Sequence, residues 1–286
     1  MTTVNPAGLK LLPEFQDLEI NKRARDYVIG GEKYQRVTTA LGIINKPALV
    51  PWATKTALNT VRDTLTEYLV SDSAFDSTYI DVIIGLARDR LKETKNDAAD
   101  LGTATHGFVE RIINEGPQVR EEVPMELLPA VDGAVAYLKD YDITVIATEQ
   151  TVWHSELKVA GTFDGLGWMG DKLVLFDWKR AKGIYWEYAL QLGAYAEFLK
   201  ELTGKAPDEA HVVRLLQEPP EDGEPLYEVK VIADLNLAFQ AYRTALSLFR
   251  AGKANWFRGG RAKELFEKAQ IPGEPKLKFE RIEAGG

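Results

Sequence analysis

Three β-rich runs follow one another between Ile143 and Trp178: Ile143 to Trp153, Lys158 to Trp168, and Lys172 to Trp178. The last two are joined around Gly170-Asp171, a pair suited to a two-residue hairpin turn, so this stretch commits the chain to an antiparallel ribbon. Within the final run, Leu173-Val174-Leu175-Phe176 is apolar without alternation, the pattern of a strand covered on both faces. The rest of the chain supplies covering helices. Residues 185–203 return to helical spacing and 235–251 form another helix, with strands expected over 210–217 and 226–232 on either side of the turn-rich Glu218-Pro219-Pro220-Glu221-Asp222-Gly223. Upstream, Tyr27 to Gly31 reads as a short strand entering a turn, and Tyr34 to Ile44 as an interrupted β-branched stretch. Four helices should follow. One begins at Trp52, with Leu58, Val61, Leu65, Tyr68 and Leu69 on an apolar face; the others cover 78–95, 98–114 and 125–141, the third stopping at Glu115-Gly116-Pro117. The expectation is an α/β (α+β) fold: a mixed central sheet flanked by helices, preceded by a mainly helical segment.

Composition narrows the chemistry. The 286 residues include no cysteine, which excludes disulfides, thiolate zinc sites, cysteine nucleophiles and a Cys-ligated iron–sulfur cluster. No apolar run approaches the roughly 20 residues that span a bilayer, and the first residues lack the basic start and apolar stretch of a signal peptide. A cytoplasmic protein with no membrane partner is expected. The formal charge of −8 argues against coating nucleic acid by bulk charge. It leaves room for a site in which acidic residues hold metal ions.

Asp164, Asp177 and Lys179 mark that site. Asp177 and Lys179 are two apart at the end of the apolar strand and so share a face. A turn centred on Gly170 and Asp171 sets a register that puts Asp164 directly across from Asp177. Opposed carboxylates repel, and burial makes the repulsion worse. A hard divalent cation, Mg²⁺ or Mn²⁺, between them removes the conflict. Such an ion polarises a phosphate oxygen and acidifies a bound water, while Lys179 steadies developing charge. A structural Asp–Lys pair at a strand end is the competing account.

Four further residues join by position. Gln191 and Tyr195 are spaced i, i+4 on the following helix; they suit contacts to phosphate, water or a nucleic-acid backbone, and equally the tying of helix to sheet. His106, in the small-residue context Gly102-Thr103-Ala104-Thr105, is a candidate imidazole ligand. Glu149, one strand before Asp164, is a further candidate ligand or a solvated strand residue. His154 and His211 read as structural.

The order His106, Glu149, Gly161-Thr162-Phe163-Asp164, Asp177-Trp178-Lys179, Gln191-Leu192-Gly193-Ala194-Tyr195 resembles the RecB-type branch of the PD-(D/E)XK nuclease superfamily. Val37-Thr38-Thr39-Ala40-Leu41 and Lys46-Pro47-Ala48-Leu49-Val50-Pro51-Trp52 resemble phage-encoded members. The resemblance implies a restriction-endonuclease-like core and metal-dependent cleavage of DNA phosphodiesters. It implies metal ligation by His106, Asp164, Asp177 and the Trp178 carbonyl, with Lys179 catalytic and Gln191 and Tyr195 supporting. It divides a single nuclease domain of 286 residues into a helical segment 1–97, a core 98–232 and a C-terminal helix and tail 233–286. Two departures stand out. Aspartate occupies position 177, where much of the superfamily has glutamate, and the iron–sulfur cluster of several relatives is excluded here.

DNA contacts are expected from Lys179, Arg180 and Lys182 after the catalytic strand. Arg258, Arg261 and Lys263, beside Trp256 and Phe257, form a second basic group for which a solvated surface is the preferred account. Recombination-type exonuclease action is the reading drawn from the family; a non-cleaving DNA-binding protein and a module docking on a recombination partner protein are its rivals.

Overall fold

The computed structural model describes residues 26–44, 49–70, 77–221 and 224–253. Contacts divide the chain into two compact units. One contains residues 1–44, 136–214 and 227–286, and the other residues 45–135 and 215–226.

The first unit is built on the sheet. Its strands are β1 (Asp26–Ile29), β2 (Glu32–Arg36), β3 (Ile143–His154), β4 (Val159–Met169), β5 (Lys172–Lys179), β6 (Glu209–Leu215) and β7 (Tyr227–Val231), and its helices are α1 (Val37–Leu41), α5 (Trp186–Thr203) and α6 (Leu235–Ala251). The sheet is mixed: β3 and β5 run antiparallel to β4, while β2 is parallel to β4 and β6 parallel to β5. Gly170 takes a left-handed φ of +61° at the first turn position, which suits a residue without Cβ. The rungs Gly165–Phe176 through Met169–Lys172 carry the register expected from that turn.

β4 is shared unusually. β2 pairs with it at Val159 and Ala160, and β5 pairs with it from Gly165 to Met169. Residues 161–164 lie in the fork between those two partners. That fork is where the carboxylates gather.

α5 covers one face. Leu190, Leu192, Ala194, Phe198 and Leu199 are buried with Phe163, Leu173 and Leu175 of the sheet and with Phe239, Tyr242 and Leu246 of α6, each large side chain contributing about 1.5–3 kcal/mol by leaving water. α5 and α6 cross closely because Gly193 has no Cβ; one built there would lie 2.7 Å from Ala238 Cβ and 2.8 Å from the Phe239 amide nitrogen. α6 starts at Asp234, whose carboxylate accepts the Leu237 N–H at 2.8 Å. On the opposite face Tyr137 packs edge-on against Phe176 and Trp178, with ring centroids 5.8 and 5.4 Å away.

The second unit is helical: α2 (Leu49–Val70), α3 (Ser77–Glu115), a 3-10 helix over Pro117–Glu122, and the first part of α4 (Leu128–Asp140). Here the sequence expectation needs correcting. The helices expected over 78–95 and 98–114 are one helix of 39 residues, about 58 Å long. Apolar periodicity fades through Lys92-Glu93-Thr94-Lys95-Asn96-Asp97 because nearly all these residues face solvent, yet no Gly or Pro interrupts them. The stretch is held as a solvated helix with local pairs such as Arg90–Glu93 and Lys92–Asp89.

Two smaller differences have equally local causes. Val37–Leu41, read as part of a β-branched stretch, is helical because Val37, Ala40 and Leu41 bury one face at i, i+3, i+4 spacing. α4 begins at Leu128 rather than Met125, with Pro129 in its first turn. Lys46 to Ala48 and the C-terminal basic group with Trp256 and Phe257 lie outside the described residues.

Candidate active site

The β4–β5 ladder stops at the Gly165–Phe176 rung, and Asp164 and Asp177 are the next residue on each strand, where the pairing expected from the turn is no longer formed. They are 8% and 1% exposed. The Trp178 backbone N–H donates to Asp164 Oδ2 at 2.7 Å, so a side chain takes an amide that the β4 backbone would otherwise satisfy. Lys179, two residues along the same strand, reaches back and ion-pairs with Asp177 Oδ2.

Glu149 falls on the same row. The β3–β4 ladder pairs Thr148 with Gly165 and Gln150 with Phe163, which places Glu149 opposite Asp164. Carboxylate oxygens of Glu149 and Asp164 lie within 4.8 Å of each other. Glu149 and Asp164 thus form a close carboxylate pair on neighbouring strands, with Asp177 on β5 just past the last β4–β5 rung. Glu149 has a φ of +49°, a left-handed conformation that costs a side-chain-bearing residue energy.

β4 is distorted at the same level. A Cβ on Gly161 would strike the Tyr195 ring of α5 at 2.3 Å, whereas one on Gly165 would strike the Phe176 ring, on the face toward Tyr137, at 1.9 Å. Residues four apart on a regular strand share a face. These two do not, so β4 changes face between them, at Asp164.

α5 brings the remaining candidates. Gln191 Nε2 donates to Asp177 Oδ1 at 3.4 Å and to the Tyr195 hydroxyl at 3.2 Å. Gln191 and Tyr195 are both buried, and Tyr195 fits because position 161 is glycine. Burial pushes the Tyr195 hydroxyl pKa well up, and the charge of Asp177 adds to the rise. That hydroxyl is therefore a persistent donor. For Lys179, burial works against the ammonium, but the charges of Asp177 and then Asp164 outweigh it and hold its pKa above the ordinary lysine value. The Tyr188 ring lies 5.2 Å from Lys179 Nζ, with its own hydroxyl pushed up to about 12, chiefly by burial.

Tyr188 escaped the sequence reading. Its spacing of three from Gln191 and seven from Tyr195, one face of a helix, was the available signal. A row of hydroxyls also escaped it. Thr162 Oγ1 lies 3.1 Å from the Tyr27 hydroxyl and 3.1 Å from Thr151 Oγ1, and joins strands far apart in sequence.

His106 is half-buried on α3 in the second unit. His211 is fully buried on the sheet face away from Asp177, where Nδ1 lies 2.8 Å from the Tyr137 hydroxyl and Nε2 lies 3.0 Å from Glu209. His154 pairs with Glu201 at 3.0 Å and stacks on Phe239. Both contacts suit structural roles.

The donor set of the fork fits a hard divalent ion: carboxylates, one of them nearly without solvent contact, aligned where like charges repel. Among the described residues no helix is long and apolar enough to cross a membrane. Compared with protein-family models and with curated proteins, the chain matches none.

Proposed function

We propose that the chain is a Mg²⁺- or Mn²⁺-dependent deoxyribonuclease of the RecB-like PD-(D/E)XK type, acting as a recombination or repair exonuclease. The observation that carries the reading is the burial of Asp164 and Asp177 just past the last β4–β5 rung, with Lys179 ion-paired to Asp177. Charges gathered in this way cost stability unless a ligand uses them.

In this reading Asp164, Asp177, Glu149, the Trp178 carbonyl and His106 are the proposed ligands. A bound divalent ion supplies Lewis acidity to a phosphate oxygen and a hydroxide equivalent near neutral pH. Lys179 keeps its proton and places a fixed positive charge where negative charge develops on phosphorus. Gln191, anchored on Asp177, orients water or a phosphate oxygen through its amide. Tyr195 keeps its proton, accepts from the Gln191 amide and donates toward substrate.

The test is end-labelled linear DNA against closed circular DNA, each with Mg²⁺ and with Mn²⁺. Digestion of the linear form with sparing of circles is expected. No cleavage of any DNA with either metal overturns the enzyme reading.

A further inference from the structure

Lys179 is the start of a short aromatic path to the surface. The Tyr188 ring lies over its ammonium at 5.2 Å, and the Tyr185 ring packs on Tyr188 edge-on at 5.6 Å. Trp186 comes next in the chain. Tyr185 is 41% and Trp186 62% exposed, although burying such rings is worth more than burying most other side chains. Both stand at the first turn of α5 and face solvent beside a buried charged site.

The segment leading to them is basic, bordered by the buried Asp177 and Glu187. From Trp178 to Trp186 the sequence is WKRAKGIYW, with Lys179, Arg180 and Lys182 and no acidic residue, in a chain whose net charge is −8. Exposed rings beside cations are what an unpaired nucleic-acid strand needs: flat faces for bases and positive charge for phosphates. Duplex DNA keeps its bases stacked internally and offers such rings nothing. A protein partner would use the rings but gains less from three clustered cations.

We propose that Tyr185 and Trp186 form a stacking platform for unpaired bases of a nucleic-acid strand, with Lys182 facing its phosphates. The platform rests on the nuclease reading for where the strand leads, toward Asp177. It names the strand form that the site receives: single-stranded, or a duplex end already opened.

Binding is measured on the full chain with metal removed by EDTA, so that it is independent of cleavage. The probes are a labelled oligothymidylate of roughly 20 nucleotides, longer than one ordinary site, and a blunt duplex of equal length; anisotropy gives affinity and tryptophan quenching reports stacking. Trp186→Ala is expected to weaken single-strand binding by about tenfold or more and to lose part of the quenching. Trp186→Phe keeps a π face and should stay within about threefold of the parent. Duplex affinity should change less than about twofold. Unchanged single-strand affinity in Trp186→Ala overturns the platform and leaves the rings to a protein partner, and equal losses on both probes overturn it as well. Cleavage by the unmodified chain is scored separately. Metal-dependent cutting with Trp186-independent binding sinks only the platform; Trp186-dependent binding without cutting sinks only the nuclease reading.

Discussion

The Trp178 amide and the Asp164 carboxylate are joined by a 2.7 Å hydrogen bond across the β4–β5 hairpin. Asp164 is thus both a structural acceptor and a candidate ligand. The two roles separate by substitution. Asp164→Asn keeps an acceptor oxygen, so melting should change by no more than about 1 kcal/mol while cleavage is lost. Asp164→Ala orphans a buried N–H and should cost about 1–3 kcal/mol in addition. Chemical denaturation read beside a nuclease assay checks both, and an active Asp164→Asn would remove this residue from the site.

Lys179 forms an ion pair with Asp177. Lys179→Met should abolish cleavage and lower the melting temperature without metal, by an amount corresponding to about 3 kcal/mol, because buried carboxylates lose their partner. Mn²⁺ should then raise the melting temperature of the variant more than that of the parent. The pH sign follows from the raised folded pKa. The ammonium's contribution is complete below about 10.4, the unfolded value, and fades only as pH rises through the higher folded value. The stability gap between parent and variant should therefore stay level from neutrality to mild alkali. A gap that closes near neutral pH would contradict the pairing.

His211 gives the opposite sign. Burial lowers its pKa, against the pull of Glu209, so the folded state prefers neutral imidazole. Its contribution is present above about 6.5 and lost as pH falls from there toward the lower folded value, by at most about 1.4 kcal/mol per pH unit. Urea midpoints measured just above neutrality and again in mild acid should fall for the parent. They should fall less for His211→Gln, which has no titrating ring.

Two glycines test the packing around the site. Gly161→Ala forces a methyl into the Tyr195 ring, so it should cost about 1–3 kcal/mol and impair cleavage by displacing Tyr195 from Gln191. Gly193→Ala presses on the α6 backbone instead. It should lower stability by a similar amount while leaving the metal dependence of the remaining activity unchanged. Equal activity in Gly161→Ala and the parent would show that Tyr195 does not need its present position.

Much of the sheet unit was legible because its signals are local. The Gly170-Asp171 turn set the β4–β5 register from Gly165 to Met169, apolar runs marked β5 and β6, and the stripe of Leu192, Ala196 and Leu199 marked α5. Asp177 and Lys179 were placed together by the two-residue period alone, and they do pair. α3 was misdivided for a physical reason: a solvated helix carries no apolar period, so Asn96 and Asp97 read as a break although neither stops a helix.

The sequence by itself determined the β4–β5 turn, the rungs from Gly165 to Met169 and the helices α5 and α6, since turn chemistry and side-chain periodicity act over a few neighbours. Only the tertiary structure decided that β2 and β5 share one edge of β4, that Glu149 takes a left-handed backbone opposite Asp164, and that Tyr188 covers Lys179. Those arrangements join segments far apart in the chain. Their energies come from packing and charge that exist only after the strands are assembled, which no local pattern records.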